Sequence, residues 1–245
     1  MGLCSDAAMV LFYDIQGDGA DHDDWHSYEH FHERLSVPGF LRATRWVATE
    51  GAPRYMVTYE VSGVEVATSP GYLDRLNDPT PWTSEMMPRF RGMTRGFCRV
   101  AASSGFGLGN AAVALRFAPA QGAEERLTDW LAGDVLPALA SRRGMVGAHL
   151  FQPTPPPPMT REQSLRGPDK AMPWLVIATA YEAAALERAA AEHLAPEALR
   201  DKGASDEITL GRYALHYTAT AEEVARTARP PALTPQMRRS DRSRR

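Results

Sequence analysis

The sequence is short of cysteine: Cys4 and Cys98 are the only two in 245 residues. Two thiols cannot build a disulfide framework or a cysteine-rich zinc site, and the count fits a reducing compartment with each thiol buried or incidental. Long apolar runs are missing as well. No stretch approaches the roughly eighteen consecutive apolar residues of a membrane-spanning helix, and Met1 to Met9 lacks the basic and apolar segments of a secretory signal. Asp6 stands where a myristoylation signal after Gly2 would want Ser or Thr. The expectation is a cytoplasmic protein with no membrane partner.

Positive charge is scarce on the body of the chain. The net charge is −3, yet Arg226 to Arg245 holds seven Arg and one Asp, which leaves the remainder near −9. A nucleic-acid binder carries its positive charge on the folded part, so no nucleic-acid partner is expected. Neither a Gly-rich phosphate loop after a strand nor a nucleophile elbow occurs, which removes nucleotide-dependent and hydrolase readings.

What is present is a repeat. Met9–Ile15 reads as a strand, Asp23–Leu35 as a helix, and Phe40–Ala48 and Tyr55–Val61 as strands joined by a hairpin at Glu50-Gly51-Ala52-Pro53. Val64–Asn77 reads as a broken helix and Arg95–Ala101 as a strand. The same βαββαβ order returns in Val113–Phe117, Glu124–Leu139, Gly144–Phe151, Trp174–Tyr181, Ala183–His193 and Ile208–Thr218. Trp25 precedes Gly39 by fourteen residues and Trp130 precedes Gly144 by the same fourteen, so the halves share a register and duplication is the economical explanation. The predicted fold is α+β: two ferredoxin-like βαββαβ repeats, each a four-stranded antiparallel sheet with helices on one face, covering one another as an α/β barrel within one chain. The expected domains are residues 1–105, residues 106–220 with a Pro-rich insertion at 153–172, and a basic tail at 221–245. The insertion, with Pro155-Pro156-Pro157-Pro158, and the tail from Thr227 are expected to be the most mobile parts.

The stretch Asp24-Trp25-His26-Ser27-Tyr28-Glu29-His30, then Glu33-Arg34-Leu35 and Val37-Pro38-Gly39-Phe40-Leu41-Arg42-Ala43, resembles the EthD-like branch of the dimeric α/β barrel superfamily. Arg54-Tyr55, Tyr59-Glu60, Ser69-Pro70-Gly71-Tyr72-Leu73 and Thr80-Pro81-Trp82-Thr83 continue the likeness across roughly Met9 to Val100. The resemblance implies the barrel fold, and a range of activities that includes cofactor-free isomerases, polyketide cyclases, monooxygenases and some haem-binding members. Members usually carry Pro two residues after the motif His, where this chain has His32. The second half has Pro137 at that register and Val135 opposite His30, so one site per chain is expected.

His22, His26, His30 and His32 fall within eleven residues. His26 and His30, four apart, would share a helix face as zinc ligands do, but no third ligand is specified and Glu29 is not placed as in His-Glu-x-x-His, so no metal is assigned. On an unbroken helix Trp25, Tyr28, Phe31, His32 and Leu35 form one face and His26 and His30 lie nearly opposite, which sends His32 inward and His30 toward solvent. A bend near this point would instead turn His30 into the cleft. The candidate catalytic set is His30 as acid, base or hydrogen-bond donor, with Arg45 and Tyr59 on strands bordering the same cleft. Trp25, His26, His32, Trp46 and Trp82 are candidate substrate-binding residues. For each the plain alternative is packing or a surface position.

The preferred function is a cofactor-independent enzyme acting on a small aromatic, lactone-like or polyketide-like molecule by proton transfer next to a carbonyl, leading to isomerisation, cyclisation, dehydration or oxygenation. Against it stand a non-catalytic ligand-binding or accessory protein and a haem-binding barrel with an axial histidine. The partner is a small-molecule ligand or substrate, with a homodimer left open.

Overall fold

The computed structural model describes residues 2–51 and 53–227. Strand β1 (Ala7–Ile15) leads into α1 (Gly19–Trp25), a single π-helical turn (His26–His30) and α2 (Phe31–Leu35), then β2 (Phe40–Glu50) and β3 (Tyr55–Val61). A 3-10 turn (Val64–Thr68), α3 (Pro70–Asn77) and α4 (Pro81–Met86) precede β4 (Phe90–Gly105). The second half runs β5 (Ala111–Phe117), α5 (Glu124–Trp130), a second π-helical turn (Leu131–Val135), α6 (Leu136–Ala140) and β6 (Met145–Pro153). After α7 (Arg161–Arg166) and the short β7 (Lys170–Ala171) come β8 (Trp174–Ala180), α8 (Ala183–His193), α9 (Pro196–Asp201), β9 (Thr209–Thr220) and α10 (Ala221–Arg226).

The strand order is β4-β1-β3-β2 in the first half and β9-β5-β8-β6 in the second, the same order twice. Antiparallel pairing of β2 with β9 and of β4 with β6 closes the eight strands into a barrel, so the two sheets leave no open edge between them. The fold is therefore the α/β barrel of two ferredoxin-like halves in one chain. Among the described residues no helix is long and apolar enough to cross a membrane.

Local sequence sets the elements. The Asp18 side chain accepts from Ala20 N and starts α1 ahead of the predicted Asp23. Thr80 accepts from Thr83 N, and Pro81 takes the first position of α4, where its missing N–H costs nothing. Gly39 and Gly144, at φ +97° and +91°, turn the chain from helix into strand, and a Cβ at either would collide with Val66 or Ala185 at 2.6 and 2.5 Å. The repeated glycine register thus has a steric cause.

Period-two alternation divides the apolar residues into three layers. In β3, Tyr55, Val57 and Tyr59 face the helices of the first half, while Met56 points with Trp46, Phe12 and Phe151 into the barrel. Leu127, Leu131, Leu136 and Leu139 pack on the second sheet.

Several expectations change. β4 is sixteen residues long rather than Arg95–Ala101, because it pairs with β1 on one side and β6 on the other. The segment 153–172 is not a free extended loop: its second part forms α7 and β7, the latter running parallel beside β4, and Thr160 and Glu162 are buried against the first half. Asn77 Oδ1 accepts from Arg161 N, and Arg34 pairs with Glu162, so polar anchors compensate for the missing apolar periodicity. The segment is a strap across the first half. The basic arm expected from Thr227 onward lies, beyond that residue, outside the described residues.

Candidate active site under the first helix

The π-helical turn decides which histidines face inward. Its closing bond runs from Phe31 N to His26 O, and the extra residue in the turn rotates everything before it relative to α2. His26 and His30 are consequently buried, at 2% and 7% exposure, and His32 is not. This corrects the unbroken-helix expectation: His32 and Tyr28 are on the outer side, His32 beside Glu33, Ser36 and Arg75. The bend arises with His32, not Pro, two residues after His30. The second half makes the same turn at Leu131–Val135, closed from Leu136 N to Leu131 O, and puts buried Val135 where the first half has His30.

His22, His26 and His30 form a ladder with ring centroids 5.2 and 5.5 Å apart, and Trp25 stacks on His26 at 5.4 Å and approaches His30 at 4.4 Å. His22 Nδ1 donates to the Asp23 carboxylate at 3.0 Å, which leaves Nε2 to accept from the Tyr13 hydroxyl at 3.1 Å. His26 Nε2 lies 3.1 Å from the Tyr59 hydroxyl. His26 Nδ1 and His30 Nδ1 are buried with no hydrogen-bond partner. Burial pushes His22 down to about 4, and it holds His26 and His30 well below 6.5, with Arg45 adding to the effect on His26 and Arg34 and Arg166 on His30. All three imidazoles are neutral at pH 7. Burial likewise raises Tyr59 far above the ordinary phenol range, so its hydroxyl keeps its proton.

Glu29 of the motif clamps rather than reacts: it accepts from Thr80 Oγ1 at 2.5 Å and Thr83 Oγ1 at 3.4 Å, and Trp25 Nε1 donates to Thr83 Oγ1 at 3.2 Å. These bonds tie the π turn to α4.

A cavity of about 30 Å³ lies between this helix and the sheet. Trp25, His26, His30 and Tyr59 line it from the first half, and Glu162 and Arg166 line it from α7. The structure thus brings His30, His26, Tyr59 and Trp25 together. It does not bring Arg45 to the cavity, since that guanidinium donates to His216 Nδ1, Asp23 O and Ser27 Oγ, each at 3.0 Å. Trp46, on the opposite face of β2, fills the barrel interior, and Trp82 packs in the helix layer outside the cavity wall. Glu162 and Arg166 were not legible in the sequence. They sit four apart in an insertion with no apolar face, and only the fold places that insertion over the first repeat.

Two other cavities bear on the choice of site. One of about 30 Å³ at the barrel end holds Trp46, Glu60, His149 and Thr179, where Ser103 Oγ lies 2.8 Å from His149 Nδ1. The other, about 460 Å³, lies between β4 and the Pro-rich strap and is lined in part by Gln163 and Asp169. Helix α7 therefore walls both the small His30 cavity, through Glu162 and Arg166, and the large one, through Gln163. Trp25 lies against the rings of both His26 and His30, so a haem could approach either imidazole only if that indole moved. Among the described residues no three His, Cys, Asp or Glu side chains are grouped to hold a metal ion.

No protein-family model and no curated protein matches the sequence. Solved structures do match the fold. An anthrone oxidase-like protein superposes with a TM-score of 0.63 at 11% identity, covering 89% of this chain and 94% of its own. Two monooxygenase candidates follow. One, from Fusobacterium nucleatum subsp. nucleatum, has a TM-score of 0.58 at 6% identity over 89% of this chain and 96% of its own. The other, from Lactobacillus acidophilus NCFM, has a TM-score of 0.57 at 10% identity over 88% and 96%. At these identities the likeness is one of fold.

Proposed function

We propose that this chain is an enzyme that binds a small organic molecule beneath α1 and α2 and moves a proton at a carbon next to a carbonyl, with His30 as the proton-transfer group. The observation that carries the reading is His30 Nδ1, buried in the cavity without a partner. An unsatisfied buried nitrogen costs about 1–3 kcal/mol, a cost that a bound substrate would relieve. His30 is neutral at pH 7 because of its burial, which is the form a base requires.

In the proposed step the C–H proton passes to His30, and the electron pair moves onto the carbonyl oxygen as an enolate. Return of that proton to a different carbon is isomerisation, and its transfer to a departing hydroxyl is dehydration. Cyclisation, or oxygenation with O₂ as co-substrate, starts from the same enolate. The names of the fold neighbours, anthrone oxidase-like and monooxygenase, support including oxygenation among the outcomes. No cofactor is invoked.

Organic ligands occupy pockets of roughly 300–1,000 Å³, so the 30 Å³ cavity admits one only when its wall shifts. Helix α7 is the wall shared with the 460 Å³ cavity, and its displacement is the proposed entry route. The reading of the two halves as copies of one EthD-like unit is supported by their matching π turns and their common strand order.

The test is a turnover screen of aromatic and polyketide-like ketones and lactones with wild-type, His30→Ala and His30→Gln proteins. Turnover should fall about 10²–10⁴-fold in both variants, since an amide retains hydrogen bonds but exchanges no proton. Tight binding without turnover by the wild type would replace this reading with that of a binding protein.

A further inference from the structure

The strap carries more charge into the buried layer than it needs for docking. Arg34 Nη2 pairs with Glu162 at 2.5 Å, Arg166 Nε and Nη2 hold Asp169 in a fork at 3.0 and 2.9 Å, and Arg95 Nε reaches Asp169 at 3.0 Å. All five side chains are at least nine-tenths removed from water. Three guanidinium groups thus face two carboxylates, an excess of one positive charge.

The excess has a direction. Arg166 lines the His30 cavity, and its Nη1 donates to the Met87 thioether at 3.6 Å and forms an ion pair with Glu162 Oε1 at 3.8 Å, too long for a hydrogen bond. Its Nε and Nη2 are both engaged by Asp169. A guanidinium nitrogen with only a weak sulfur acceptor, in a buried and net cationic setting, is a seat for an oxygen anion. Across the same cavity stands His30 Nδ1, also without a partner.

We infer that Arg166 is the oxyanion-binding residue of this site, contributed by the second half, and that the substrates are molecules whose reacting oxygen ionises: enolisable ketones and phenols. This deepens the proposed function and rests on the same cavity. The proton goes to His30 while the charge left on oxygen is held by Arg166 Nη1, two groups that the sequence places more than a hundred residues apart. Arg166 is thereby a specificity residue, because a neutral, non-enolisable ligand offers its Nη1 no anionic oxygen in place of the weak thioether contact.

The experiment uses 4-nitrophenol, which needs no turnover and turns yellow on ionising. Titrated against the full chain below the phenol's own pKa, it should bind as phenolate, with its apparent acidity raised about tenfold or more by a cation within reach. Arg166→Met should abolish the yellow shift, Arg166→Lys should keep part of it, and thermal melting should show all three proteins folded. His30→Gln should keep the shift, which separates this inference from the assignment of the base. If the wild type binds the probe as neutral phenol or not at all, or if Arg166→Met keeps the full shift, the inference is overturned.

Discussion

Arg34 in α2 and Glu162 in α7 meet 2.5 Å apart with both side chains almost wholly withdrawn from water, and they join the first half to the strap of the second. Breaking such a pair on one side leaves an unanswered buried charge, whereas replacing both partners by apolar groups is often neutral. Arg34→Leu or Glu162→Leu alone should cost about 3–5 kcal/mol in denaturant unfolding, and the double variant should recover most of it. Trypsin cleavage at Arg161 and Arg166 should quicken in the single variants. Equal, additive losses would mean that the two side chains act independently.

Stability should depend steeply on pH in the mildly acid range. His22, His26, His30 and His149 all have folded-state values depressed below 6.5 by burial, with His22 and His149 at about 4. A depressed histidine binds protons more readily in the unfolded chain. Its contribution is therefore complete above pH 6.5 and drains away as the pH falls toward the folded value. Each group adds up to about 1.4 kcal/mol per pH unit across that window. Urea midpoints at pH 7.5, 6.0 and 5.0 should fall progressively, and His149→Gln should flatten the slope. A flat profile from pH 7.5 to 5.0 would show that these imidazoles are hydrated.

Tyr59→Phe isolates one hydrogen bond. The variant removes the hydroxyl 3.1 Å from His26 Nε2 and leaves both nitrogens of a buried ring unsatisfied. A loss of about 1–3 kcal/mol is expected, with a smaller fall in turnover than for His30→Gln, because the hydroxyl is committed to His26. A larger kinetic effect than that of His30→Gln would transfer the central role to the His26–Tyr59 pair.

Trp25 and Trp46 separate the two faces of the first sheet. Trp25 lies against His26 and His30, and Trp46 lies inside the barrel. Trp46→Phe should lower stability by about 0.5–3 kcal/mol with no change in KM. Trp25→Phe should raise KM in addition, since it reshapes the cavity and frees Thr83 from its indole donor. Melting curves and substrate titrations of the two variants provide the check.

The order of elements along the chain and the helix layering followed from local signals: alternation in Tyr55–Val61, the glycine stops at Gly39 and Gly144, and the repeated Trp-to-Gly spacing. The short helices α4 and α9 escaped notice because six residues carry too little periodicity, although Pro81 and Pro196 mark their starts. Whether His30 or His32 faces inward was left open by the sequence for a related reason. A helical wheel assumes a constant turn, and one π-helical residue shifts the phase of all that follows.

Alone, the chain's sequence determined the barrel and the residue kinds available beneath its first helix, because strand alternation, caps and glycine turns are local and written in neighbouring residues. Only the tertiary structure decided which of them meet. It turned His30 in and His32 out, committed Arg45 to Asp23, Ser27 and His216, and brought Glu162 and Arg166 from a Pro-rich strap onto a cavity built by the other half. Those contacts rest on burial and ion pairing between segments far apart in the chain, and such pairings leave no periodic trace in the sequence.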